Sequence, residues 1–111
     1  MPEKSEKEIE NEILAYLWSV RIFAWKNQSI GVYDPKRQIF RKSRNPFHIK
    51  GVSDIIGVYR GKMLAIEVKS KKGRISPEQV DFLKKVINSG SIAFVARSVE
   101  DVKRELEKIS A

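Results

Sequence analysis

A chain of 111 residues with a formal charge of +8, from 22 Lys and Arg against 14 Asp and Glu, has the size of one ordinary domain, which excludes a two-domain enzyme. Its 41% hydrophobic and 32% charged residues suffice for one core, and no run of about 18 apolar residues offers a membrane span. The absence of cysteine excludes disulfides and thiolate metal sites, and a single histidine, His48, argues against a His-rich metal site or a Ser-His-Asp enzyme, so any catalysis must run on carboxylates, lysine and a hard metal.

Taken in chain order, the first residues (MPEKSE) carry acids where a signal peptide carries an apolar segment, so the protein is expected inside the cell. Over 5–20 the apolar positions Ile9, Ile13, Leu14, Leu17 and Val20 recur at helical spacing, and the leading glutamates suit the positive end of a helix. Residues 22–25 form a short β-favouring run. The stretch 26–53 is polar and basic, with Gly31, Pro35, Pro46 and Gly51, and predicts a functional loop or an irregular hairpin. Segments 54–59 (DIIGVY) and 63–68 (MLAIEV) then predict two strands joined across Arg60 and Gly61 as an antiparallel hairpin. Ser76, Pro77 and Gln79 fit the N-cap, first and third positions of a helix with a capping box. Val80, Phe82, Leu83, Val86 and Ile87 supply its apolar stripe and Gly90 its end. Residues 92–96 predict a buried strand, and Ser98 caps a last helix to about residue 109. The order, αβ, a basic insertion, then ββαβα, describes a single α/β domain with a mixed sheet. Trp18 and Trp25 are expected in its core.

The charge is unevenly spread. Residues 1–12 and 98–111 together hold nine acids and five bases, which leaves +12 on residues 13–97. Six bases and no acid fall within 36–50: Lys36, Arg37, Arg41, Lys42, Arg44 and Lys50. Lys69, Lys71, Lys72 and Arg74 follow the MLAIEV strand. Such a field suits a polyanion, nucleic acid being the commonest, although a solvated basic face has the same composition. Tyr33, Phe40 and Phe47, spread through the basic stretch, could stack on unpaired bases or cover the sheet. His48 fits a surface position or a phosphate contact better than a base.

Chemistry concentrates on Asp54, Glu67 and Lys69. Side chains alternate along a strand, so Ala65, Glu67 and Lys69 share one face while Leu64, Ile66 and Val68 share the other. A carboxylate and an ammonium in an otherwise apolar strand cost several kcal/mol unless paired or metal-bound. Asp54, opening the preceding antiparallel strand, belongs at the same end of the sheet. Two carboxylates and a backbone carbonyl there make an oxygen-rich site suited to Mg²⁺ or Mn²⁺, with the neighbouring ammonium able to orient or deprotonate a water. That is the equipment of phosphodiester hydrolysis. On the plainer alternative, Glu67 and Lys69 lie on a solvated edge strand and Asp54 is a turn residue.

Ser53-Asp54 followed by Glu67-Val68-Lys69 resembles the PD-(D/E)xK nuclease core, with serine where the signature often has proline. The wider strings GVSDII at 51–56, AIEVK at 65–69 and ISPEQ at 75–79 look like its VRR-NUC branch, and FAWKN at 23–27 and IAFVAR at 92–97 extend the likeness over nearly the whole chain. The resemblance implies a restriction-endonuclease-like fold. It implies Asp54, Glu67 and the Val68 carbonyl as ligands of Mg²⁺ or Mn²⁺, Lys69 acting on the water, and Gln79 as an active-site residue. It also places a glutamate of the first helix in the site; Glu6 and Glu10 both fit, with spacing slightly in favour of Glu6. The expected activity is a metal-dependent, structure-specific DNA endonuclease, acting as a homodimer on branched DNA such as Holliday junctions. The bases of 36–50 and Lys71, Lys72 and Arg74 would grip phosphates. The alternative is a non-catalytic or partner-dependent nucleic-acid-binding module on the same fold.

Overall fold

The computed structural model describes residues 3–28 and 46–110 in full, and 32–34 and 39–41 by their backbone. Helix α1 (Glu6–Ser19) begins where the acids predict: Ser5 Oγ accepts the Glu8 N–H at 3.2 Å, and Glu6 and Glu8 lie in the first turn. Its buried stripe is Ile9, Ile13 and Leu17, with Glu10 beside them. Arg21, at φ 63°, turns the chain into β1 (Phe23–Lys26). The stretch expected to be a loop or irregular hairpin holds two short strands, β2 (Val32–Asp34) and β3 (Ile39–Arg41), paired antiparallel as a small sheet of their own. Strands β4 (Ile55–Tyr59) and β5 (Lys62–Val68) form the predicted hairpin. Arg60 and Gly61 both adopt positive φ (52° and 79°), the pattern of a two-residue turn whose twist matches the strands. Helix α2 (Pro77–Asn88), strand β6 (Ile92–Ala96) and helix α3 (Val99–Ser110) complete the order.

The main sheet runs β1-β4-β5-β6, antiparallel except for the parallel β5–β6 pair that α2 connects. On one face Leu64, Ile66 and Val68 pack with Ile9, Ile13 and Leu17 of α1 and Val102 and Leu106 of α3. On the other, Ala65 packs with Phe82 and Val86 of α2. Each fully buried Ile, Leu or Val contributes roughly 2 kcal/mol against the entropy of ordering the chain. The mixed sheet flanked by helices is the architecture expected. Because β5 has a strand on each side, the solvated-edge alternative for Glu67 fails: the residue is 1% exposed.

Some expected core positions are outside. Val20 follows the end of α1, and Val80 and Ile87 flank the buried Phe82, Leu83 and Val86 of α2; all three are exposed. Trp18 is 67% exposed, one position past the buried Leu17, and its indole N–H donates to the Ala24 carbonyl at 2.8 Å. An indole needs one acceptor, and this one ties α1 to β1 without burying the ring. Trp25 is also exposed, and its ring lies against Phe23 with centroids 5.0 Å apart. Phe23, Val58 and Met63 stand opposite one another on β1, β4 and β5, and all remain exposed.

Candidate active site

The register that pairs Ile55 with Ile66, extended by one step, sets Asp54 opposite Glu67 at the end of the sheet. Asp54 Oδ2 accepts the Val68 N–H at 2.9 Å, which fixes this carboxylate beside the end of β5. Glu67 projects from the face covered by α2. Its Oε1 accepts from Gln79 Nε2 at 2.8 Å and lies 3.7 Å from Lys69 Nζ, while Oε2 is buried without a hydrogen-bond partner among the described residues. Burial, then the charge of Asp54, push the Glu67 carboxyl up to about 8, against the opposing pull of Lys69. Two carboxyl groups so placed must share a proton or a cation.

Gln79 reaches Glu67 because the start of α2 leaves it little freedom. Ser76 Oγ accepts the Gln79 N–H at 3.2 Å, and Gln79 Oε1 accepts the Ser76 N–H at 2.9 Å, closing the capping box. That leaves the amide nitrogen to donate to Glu67, so one side chain caps the helix and holds the carboxylate. Gly51 backs this turn. Its φ is +79°, and a Cβ there would come within 2.4 Å of the Glu78 carbonyl oxygen.

The two helix glutamates separate. Glu10 is 7% exposed, with Oε2 at 3.5 Å from Lys26 Nζ and Oε1 unpartnered among the described residues. Burial raises its pKa, Lys26 opposes that shift, and the charge of Asp54 adds to it. Glu6 is exposed, and its Oε1 borders Gly73 on the loop after β5. Spacing slightly favours Glu6, whereas the structure buries Glu10, paired with Lys26 and within reach of the charge of Asp54, and leaves Glu6 exposed. The reason is helical: Glu10 adjoins the buried Ile9 and Ile13, whereas Glu6 sits in the first turn. Lys50, Lys71, Lys72, Arg74 and His48 are exposed. Lys36, Arg37, Lys42 and Arg44, and the side chains of Tyr33, Phe40 and Arg41, lie outside the described residues.

The VRR-NUC domain model matches residues 4–100. The chain belongs to the VRR-NUC family. A solved structure described as a VRR_NUC domain protein shares the fold, with a TM-score of 0.66 at 18% identity, covering 96% of this chain and 88% of that one. No curated protein matches the chain. VRR-NUC domains are nucleases, so the mixed sheet and its helices form a restriction-endonuclease-like nuclease fold. No helix among the described residues is long and apolar enough to cross a membrane.

Three residues near this VRR-NUC site carried no role in the sequence. Lys26, the partner of Glu10, stood in the FAWKN string without a function. Gly51 was one glycine among six, its need set by the approach of α2. Arg97 ends the IAFVAR string, and its side chain binds the loop after Lys69.

Proposed function

We propose that this VRR-NUC domain is a divalent-metal-dependent DNA endonuclease that cuts branched DNA, such as Holliday junctions, as a homodimer. The observation that carries the reading is Glu67, a carboxyl buried in an apolar strand beside Asp54, with one oxygen unpartnered and an ammonium 3.7 Å from the other. The donors fit Mg²⁺ or Mn²⁺: both carboxylates are hard oxygen ligands, and their repulsion is what a dication relieves. Among the described residues no three acidic or histidine side chains gather to enclose an ion. Asp54, Glu67 and the Val68 carbonyl would hold it, leaving positions for water and phosphate, as is usual for Mg²⁺. When bound, such an ion polarises the phosphate and lowers the pKa of a coordinated water.

The residues of the chain do the rest. Lys69 orients the attacking water beside the scissile phosphate. Gln79 fixes the Glu67 carboxylate, and Lys26 steadies Glu10 at the margin of the site. Lys36, Arg37, Arg41, Lys42, Arg44 and Lys50, with Lys71, Lys72 and Arg74, contact the DNA backbone, which makes binding salt-dependent. The exposed apolar row of Phe23, Val58 and Met63, with Trp25 beside it, supports a self-pairing surface, and two-fold pairing suits a symmetric junction. The test is cleavage of four-way, flap and linear DNA with Mg²⁺, Mn²⁺ or EDTA, alongside the mass in solution with and without a junction. Metal-dependent cutting that favours the junction, by a dimer, supports the proposal. DNA binding without turnover in any metal favours the non-catalytic module, and turnover only with a co-purifying protein favours the partner-dependent one.

A further inference from the structure

Arg97 follows the last residue of β6 and is held from both sides. Its backbone N–H donates to Asp101 Oδ2 at 2.9 Å, and the Asp101 N–H donates to Ser98 Oγ at 3.1 Å, so the start of α3 anchors it. Its side chain crosses to the loop after β5, where Nη1 donates to the carbonyls of Ser70 at 2.5 Å and Gly73 at 2.8 Å, with the Lys71 carbonyl at 3.4 Å. A Gly73 N–H to Ser70 carbonyl bond of 3.0 Å closes the same turn. Lys69, by contrast, is fixed by its own backbone, whose N–H donates to the Ala96 carbonyl at 3.1 Å. The catalytic lysine and the basic turn that follows it are therefore held by separate bonds.

In a trans peptide the carbonyl of one residue and the N–H of the next point in opposite directions, and no peptide among the described residues is cis. Carbonyls 70, 71 and 73 gathered on Arg97 thus turn the N–H groups of Lys71, Lys72 and Arg74 away from it. No described residue accepts a hydrogen bond from these three N–H groups. The adjacent N–H groups of Lys71 and Lys72, with that of Arg74 beyond the inward-turned Gly73 N–H, lie on a turn bearing cationic side chains and make a surface for an anion.

We propose that Arg97 is a positioning residue that orients the 70–74 turn, so that its amides and the side chains of Lys72 and Arg74 bind a backbone phosphate next to the one cleaved. The proposal rests on the nuclease reading and adds a subsite to it. Its signature is a split between binding and turnover. With Arg97→Met, KM for a four-way junction rises about tenfold and the salt dependence of binding falls by about one phosphate contact. The value of kcat stays within about threefold, because the Ala96 carbonyl still holds Lys69. Lys72→Ala weakens binding in wild type but adds little on top of Arg97→Met, since the two changes remove one contact. Unchanged KM, a loss confined to kcat, or fully additive effects of the two changes would overturn the proposal. Should Arg97→Met not fold, the wild-type amide spectrum decides: on titration with duplex DNA in EDTA the N–H signals of Lys71, Lys72 and Arg74 shift, and if they stay still the proposal is wrong. Those amides report on binding whether or not the protein cuts, so failure of cleavage and failure of this inference are separate results.

Discussion

Glu67→Gln is expected to make the metal-free protein more stable, and increasingly so as pH rises. In the fold the Glu67 carboxyl is held at about 8, against an ordinary value near 4.5, mainly by burial and then by Asp54. The folded state binds this proton more tightly than the unfolded chain does. Stability is therefore highest below about pH 4.5, falls as pH climbs through the window to about 8, and levels off above it. At roughly 1.4 kcal/mol per pH unit that window amounts to at most about 5 kcal/mol, and local relaxation and water entry reduce it to about 2–4. The amide is neutral at every pH and keeps an oxygen for the Gln79 donor, so the substitution removes the penalty with little other change. Urea unfolding followed by far-ultraviolet circular dichroism in EDTA, at intervals from pH 4.5 to 9, measures the difference. Wild type and variant should agree within about 1 kcal/mol at the acid end and diverge by about 2–4 at the alkaline end, or about 10 °C or more in Tm. A difference that does not change with pH, or a variant that is the less stable above pH 8, refutes the placing of Glu67 as a buried carboxyl crowded by Asp54.

Gly51→Ala should lower stability by about 2 kcal/mol or more, by thermal melting, because the position has positive φ and its Cβ would meet the Glu78 carbonyl. Since that collision displaces the turn carrying Gln79, kcat should fall too; an active, fully stable variant would contradict the coupling. Lys26→Met removes the cation beside buried Glu10 and should cost about 1 kcal/mol at pH 8 and less at pH 4, below the ordinary carboxylate range, since burial raises the pKa of Glu10 further still. Equal losses at both pH values would deny the pairing. Phe23→Lys, on the exposed apolar row, should shift a dimer toward monomer in light scattering while leaving the Tm within a few degrees; a variant with the wild-type mass would remove that face from the interface.

The elements that position the site were legible because each has a local chemical signature. The capping box at Ser76 and Gln79, the hairpin turn at Arg60 and Gly61, and the alternation around Glu67 follow from period and turn chemistry alone. Exposure at Trp18, Val80 and Ile87 was not legible, since burial depends on where neighbouring elements stop, and α2 leaves part of its sheet face bare. The choice between Glu6 and Glu10 needed the third dimension as well: both lie on one flank of α1, and the sheet end carrying Asp54 and Lys26 meets only the later one. Gln79 shows the limit of pattern, because the same side chain closes a helix cap and donates to the buried Glu67 carboxyl; local spacing displays the first role, and only the family resemblance implied a place in the site. Arg97 left no local signal, as its partners are backbone carbonyls more than twenty positions away.

Whether Asp54, Glu67 and Lys69 form a phosphodiester-cleaving site is decided by single-turnover cleavage of a four-way junction with Mn²⁺ by wild type, Asp54→Asn and Lys69→Ala. Wild type should cut, EDTA should stop it, and each variant should lose about a thousandfold or more in rate, in line with loss of a metal ligand or water-orienting group, while binding the junction within a few fold of wild type. Equal rates in all three proteins, or cutting that persists in EDTA, would contradict that assignment.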